Sequence, residues 1–169
     1  DLLQAKAAVN GARKAIEEAN RDVMLIAQVT VETTGTMLLG SEIGAALNAL
    51  EPLEIDLIGL NCATGPAEMS EHLRYLSKNS HAGISVMPNA GLPILGANGA
   101  EYPLGPAELA TALATFVDDY GVSLIGGCCG TTPEHLEAVV EKLSAHKVKE
   151  RAIEIEPGAS SLYQYVPFR

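Results

Sequence analysis

The chain begins helices with the same local device three times. Gly65-Pro66-Ala67-Glu68, Gly105-Pro106-Ala107-Glu108 and Thr132-Pro133-Glu134 each place a proline at the first helical position. There its missing N–H costs nothing, because the first N–H groups of a helix have no partner within it. Each device opens a helix that follows an apolar strand run, as does Ser41, read as a helix cap. The runs are Val23 to Val31, Ile55 to Cys62, Gly83 to Pro88 and Val122 to Cys128. They are nearly continuous rather than alternating, as expected of strands covered on both faces in a parallel sheet. Ahead of them, Leu3 to Asn20 carries Val9, Ala12, Ile16 and Ala19 on one helical face.

Four strand–helix units fit either an open doubly wound sheet or part of a closed barrel. The glycine fingerprint of dinucleotide folds is absent. A complete (β/α)8 barrel needs about 250 residues, and the 169 residues here hold about half of one. The fold class expected is therefore α/β: a (β/α)8 TIM-barrel fragment of about four βα units. Residues 1–150 form the half-barrel. Residues 151–169, with two prolines, three aromatic residues and no helical period, read as an extended linker. Its Tyr163, Tyr165 and Phe168 are expected to pack on a neighbouring surface.

Composition narrows the partners. Eleven basic against 21 acidic residues give a formal charge of −10. No Lys or Arg occurs between Asp22 and Leu73, or between Asn79 and Glu141. A nucleic-acid surface would place cations on those loops, so nucleic acid is disfavoured. No apolar stretch approaches the ~18 residues of a membrane span. The opening Asp1-Leu2-Leu3-Gln4-Ala5-Lys6 shows no secretory signal and no initiator methionine, so the chain is expected to be a piece of something longer. Three cysteines are too few and odd in number for a disulfide framework, and an intracellular, cytoplasmic setting fits better.

Those cysteines carry the chemistry. Cys62 ends the second strand, and Cys128 and Cys129 end the fourth. Functional groups in parallel α/β folds collect at the carboxyl ends of strands, so all three thiols fall on one rim. Adjacent strand residues point to opposite faces; Gly126, Gly127 and Gly130 supply the freedom for both to reach one point. Three thiolates and an exchangeable fourth position describe a zinc site open for catalysis. Three buried core cysteines fit the same spacing, so spacing alone leaves both readings standing.

The motifs go further. Gly59-Leu60-Asn61-Cys62, followed by Gly126-Gly127-Cys128-Cys129-Gly130-Thr131-Thr132-Pro133-Glu134-His135, resembles the zinc-binding signature of homocysteine S-methyltransferases. Met87-Pro88-Asn89-Ala90-Gly91 and Gly35-Thr36-Met37-Leu38-Leu39-Gly40 resemble, more narrowly, the homocysteine-binding domain of cobalamin-dependent methionine synthases. The tail from Glu156-Pro157-Gly158 resembles the connector to the folate-binding domain of those enzymes.

The resemblance implies a (β/α)8 barrel, here strands five to eight, in which Cys62, Cys128 and Cys129 are zinc ligands. It implies that Asn89 is an exchangeable fourth ligand, and Asn61 would help orient the site. A turn role for Asn89 and a backbone-capping role for Asn61 fit the residues equally well. The implied cofactors are Zn2+ and methylcobalamin, the latter supplied by another domain, and the implied substrate is homocysteine. A betaine or sulfonium methyl donor, or a non-catalytic zinc-binding half-barrel, are the alternatives. The acidic residue that holds the substrate amino group in relatives falls before Asp1, so the pocket is incomplete. Two free sheet edges predict association with the missing half-barrel, with other synthase modules, or with a second copy. His72, His81, His135 and His146 read as exposed or capping residues, and Glu32, Thr33 and Thr34 as loop caps or pocket lining.

Overall fold

A computed structural model describes residues 1–97, 99–154 and 156–168. Four strands, β1 (Ile26–Val29), β2 (Leu57–Asn61), β3 (Gly83–Met87) and β6 (Leu124–Ile125), form one parallel sheet in the order β1-β2-β3-β6. They pair in register, Ala27 beside Ile58 and Ile58 beside Ile84. The order is sequential, with no reversal of the kind that makes a doubly wound sheet. The helices are α1 (Leu2–Ala19), α2 (Ile43–Leu50), α3 (Pro66–Asn79), α4 (Pro106–Tyr120) and α5 (Pro133–Leu143). Each packs against the next in a single row. Because strand–helix–strand crossovers are right-handed, sequential order keeps every helix on the same side of the sheet. This is the arrangement of a partial TIM barrel.

Period-2 alternation sorts the strand residues between faces. Ala27, Val29, Ile58, Leu60, Ile84 and Val86 are buried in the core shared with the helices. Leu50, Leu73, Leu76, Leu109 and Leu113 meet them there. The opposite face carries Ile26, Gln28, Leu57, Gly59, Gly83 and Ser85. Within it, Gln28 Nε2 donates to Ser85 Oγ at 3.1 Å. The layer is close-packed at Gly59, where a Cβ would lie 2.0 Å from that same Oγ.

The helix starts follow the local chemistry. Glu68 accepts from the Gly65 N–H at 3.1 Å, and Glu108 from the Gly105 N–H at 2.9 Å, each closing the first turn. At α5 the acceptor three residues in is His135 instead of a glutamate. Ser41 does not cap α2. It is buried, its carbonyl accepts from Met37, and the helix begins after Glu42 with no side-chain cap. The turn formed by Met37 to Ser41 takes precedence over the cap. Asp1 caps α1, accepting from Leu3 at 2.9 Å.

Two short hairpins go beyond the sequence reading. β4 (Ile94–Gly96) and β5 (Gly99–Glu101) pair antiparallel inside the Gly/Pro-rich loop that follows β3. β7 (Gly158–Ser160) and β8 (Tyr165–Pro167) pair likewise in the tail and lie against α2. The tail is fastened by Arg151, whose guanidinium donates to the carbonyls of Ser80 and Ala82 at 2.9 and 2.7 Å. Glu154 N–H donates to Lys78 at 2.7 Å, and Glu42 N–H to Tyr163 at 2.7 Å. Tyr165 packs over Gly44, whereas Tyr163 and Phe168 are exposed. Among the described residues no helix is long and apolar enough to cross a membrane.

Candidate metal centre

The cysteine cluster begins where β2 ends. Cys62 and Ala63 both adopt left-handed backbone, with φ of 59° and 60°. Non-glycine residues pay about 1–2 kcal/mol each for that conformation. Neighbouring loops hold it in place. Cys62 N–H donates to Met87 at 3.0 Å, Thr64 N–H to Cys62 at 2.7 Å, and Asn89 N–H to Thr64 at 3.0 Å. The abrupt turn swings Cys62 out of the strand and towards the end of β6.

Cys128 and Cys129 lie beyond β6, in a turn tied to the loop after β3. Cys128 N–H donates to Pro88 at 2.8 Å, and the Cys129 carbonyl accepts from Ala90 at 2.9 Å. Asn89 is buried, and its Oδ1 accepts the Cys129 N–H at 3.2 Å. Gly130 closes the turn with φ of 79°, and a Cβ there would lie 2.3 Å from the Tyr102 Cβ. Only a residue with no side chain fits.

The sulfurs form a compact triangle. Cys62 and Cys129 Sγ are 3.7 Å apart, Cys128 and Cys129 Sγ are 3.9 Å apart, and all three lie within 4.8 Å of one another. Tetrahedral Zn–S bonds of ~2.3 Å put sulfurs about 3.8 Å apart. The two shorter edges of the triangle match that spacing, and its soft thiolate donors suit zinc. The buried-core alternative does not hold, since Cys129 is exposed and the other two are half-buried.

The thiols perturb one another. Burial, then hydrogen bonding with Cys62 and Cys129, pushes the Cys128 thiol up to about 11. Cys129 is held below its ordinary value by hydrogen bonds from Cys62, then from Tyr102 and Cys128. Tyr102 in turn is raised, first through its hydrogen bond with Cys129. Metal ligation needs thiolates, so a bound cation would displace the Cys128 proton.

Nothing in the sequence singles out Tyr102. It sits just past β5, in a loop whose composition signals only turns. His135 does act as a cap, as expected. Its Nδ1 accepts from the Thr132 N–H at 3.2 Å, so the ring proton sits on Nε2 and is donated to the Leu104 carbonyl at 2.9 Å. His146 pairs with Asp118, and His72, half-buried, is lowered by desolvation. Asn61 Oδ1 accepts from the Thr30 hydroxyl at 3.2 Å, linking the carboxyl ends of β1 and β2. Glu32 and Thr34 belong to a turn, with Gly35 N–H donating to Glu32 at 2.9 Å and the Thr34 and Thr36 hydroxyls 3.3 Å apart. A cavity of about 400 Å³ lined by Gly65, Leu92, Leu104 and Phe116 lies beside α3 and α4, and no cysteine borders it.

Sequential strand–helix units and three thiols gathered on the carboxyl rim define a partial α/β barrel with a candidate thiolate metal centre. The chain belongs to the homocysteine S-methyltransferase family, whose model matches residues 1–143. It is 64% identical over 168 residues to the methionine synthase of Mycobacterium tuberculosis, a match covering 99% of this chain. It is 62% identical over 173 residues to the methionine synthase of Mycobacterium leprae, again over 99% of the chain. The chain spans 14% of the length of each of these relatives.

Proposed function

We propose that this chain is the zinc-binding half of a homocysteine S-methyltransferase barrel within a methionine synthase, with residues 1–150 as the half-barrel and 151–169 leading towards a folate-binding domain. The observation that carries this reading is the sulfur triangle, with its 3.7 and 3.9 Å edges. Cys62, Cys128 and Cys129 hold the metal. Asn89, buried against the Cys129 amide, would supply an oxygen as the exchangeable fourth ligand. Asn61, fixed by Thr30, orients the Cys62 turn from the neighbouring strand end.

What bound Zn2+ supplies is a charge that favours the thiolate form of homocysteine, whose free thiol is mostly protonated at neutral pH. With the cation bound the three cysteines would be thiolates, so the site as a whole would stay electron-rich and favour a nucleophilic sulfur. The left-handed Cys62-Ala63 turn and the Asn89 contact to Cys129 hold the sulfurs in place before any cation arrives. Identity to two methionine synthases supports methylcobalamin, carried by another module, as the methyl donor and methionine as the product. A cytoplasmic setting accords with three free thiols.

The edges of β1 and β6 have no strand partner among the described residues. The missing half-barrel is proposed to fill them and to complete the amino-acid pocket. The test is elemental analysis of the protein and of Cys62→Ser, Cys128→Ser and Cys129→Ser. One zinc per chain is expected in the parent and a sharp loss in each variant. Equal zinc in all four, or none in any, would overturn the reading.

A further inference from the structure

A closed ring of hydrogen bonds surrounds the paired-cysteine turn. The Cys129 carbonyl accepts from Ala90 at 2.9 Å, and the Ala90 carbonyl from Leu104 at 2.9 Å. The Leu104 carbonyl accepts from His135 Nε2 at 2.9 Å, and His135 Nδ1 accepts from Thr132, which stands at the end of the cysteine turn. His135 is buried, so both ring nitrogens are committed away from solvent. A helix cap needs only one of them. The glutamates at the matching positions of α3 and α4 cap their helices with a single carboxylate and no second bridge. The imidazole therefore does something beyond capping.

What the second bond fixes is the loop that carries Tyr102, two residues before Leu104. The Tyr102 side chain lies flat on Gly130, its Cβ, Cγ and Cδ2 falling 2.3 to 2.7 Å from where a Gly130 Cβ would stand. Gly130 directly follows Cys129, so the ring borders the paired-cysteine turn. We propose that His135 is a positioning residue of the metal centre, bridging the α5 cap to the Leu104 carbonyl so that Tyr102 stays seated on Gly130 beside Cys129. This inference rests on the metal-binding reading above. Groups that orient thiolate ligands from outside the coordination sphere commonly matter about tenfold or more to metal affinity.

The test separates the cap from the bridge. His135→Gln retains the ordinary capping acceptor but cannot also reach Leu104. Metal-free protein is titrated with Co2+ alone, following the sulfur-to-cobalt charge-transfer absorption, for the parent, His135→Gln, Tyr102→Ala and the double variant. Thermal melting of each metal-free protein is recorded alongside. His135→Gln is expected to bind Co2+ about tenfold more weakly, with a shifted charge-transfer band and a melting temperature close to the parent's. Tyr102→Ala is expected to match it, and the double variant to lose no more than either single change.

Parent-like affinity and band in His135→Gln would overturn the inference. So would a loss of affinity matched by a large fall in melting temperature, or losses that add in the double variant. If His135→Gln fails to fold, Tyr102→Ala decides, and parent-like Co2+ binding by that variant overturns the proposal. Absence of any charge-transfer band in the parent would instead overturn the metal reading itself.

Discussion

Replacing Gly130 with alanine tests the geometry of the cysteine turn, and Gly35 supplies a matched control. The two glycines have nearly the same φ, 79° and 84°. An added Cβ at Gly35 meets nothing within 4 Å, whereas at Gly130 it meets the Tyr102 Cβ at 2.3 Å. Both substitutions incur about 1–2 kcal/mol for left-handed alanine. Only Gly130→Ala adds the cost of forcing a packed side chain aside, about 1–3 kcal/mol. The expected penalties are thus about 1–2 kcal/mol for Gly35→Ala and about 2–5 kcal/mol for Gly130→Ala. Urea unfolding measures both, provided the dependence on denaturant is unchanged between variants. Equal destabilisation by the two would refute the argument, because it would mean that Tyr102 does not occupy the space above Gly130.

Other expectations follow from the same contacts. Arg151→Ala removes a guanidinium bonded to the Ser80 and Ala82 carbonyls; it is expected to cost about 1.5–3 kcal/mol and to speed chymotryptic cleavage at Tyr163 and Tyr165, read by mass spectrometry. Since Cys128 is pushed up to about 11, it is protonated at pH 7 and its proton must leave when metal binds. Zinc affinity, measured by competition with a chelator of known pH behaviour, should therefore rise with pH by about a decade per unit for each proton displaced; a flat profile from pH 6 to 8 would contradict this. With Met24, Ile26 and the β1 edge uncovered, the isolated chain should associate in light scattering, and a sharp monomer peak with cooperative unfolding would count against an open half-barrel.

The strand–helix frame was legible because its punctuation is local. A proline after a capping residue, with an acceptor three residues on, specifies a helix start without reference to the rest of the fold. The shared rim for Cys62, Cys128 and Cys129 was legible for a related reason, since parallel topology sends every strand's carboxyl end to one side. What stayed hidden is decided by contacts distant in sequence. The β4–β5 hairpin has too few residues for an alternating pattern, and its turn chemistry is diluted by glycines and prolines. Nothing in Asn61-Cys62-Ala63 announces two left-handed residues, because neighbouring backbone groups, not a glycine, stabilise that turn. Ser41 looks like a cap by type alone, yet its backbone is committed to the turn before α2. Tyr102 and His135 gain their meaning only when the loops after β3 and β6 meet.

The central claim, that three cysteines from two strand ends hold one zinc, is tested most directly by X-ray absorption at the zinc edge. One zinc per chain is expected, with three sulfur neighbours at ~2.3 Å and one lighter neighbour, falling to two sulfurs in Cys62→Ser. Substoichiometric zinc, or a shell of oxygen and nitrogen without sulfur, would contradict it.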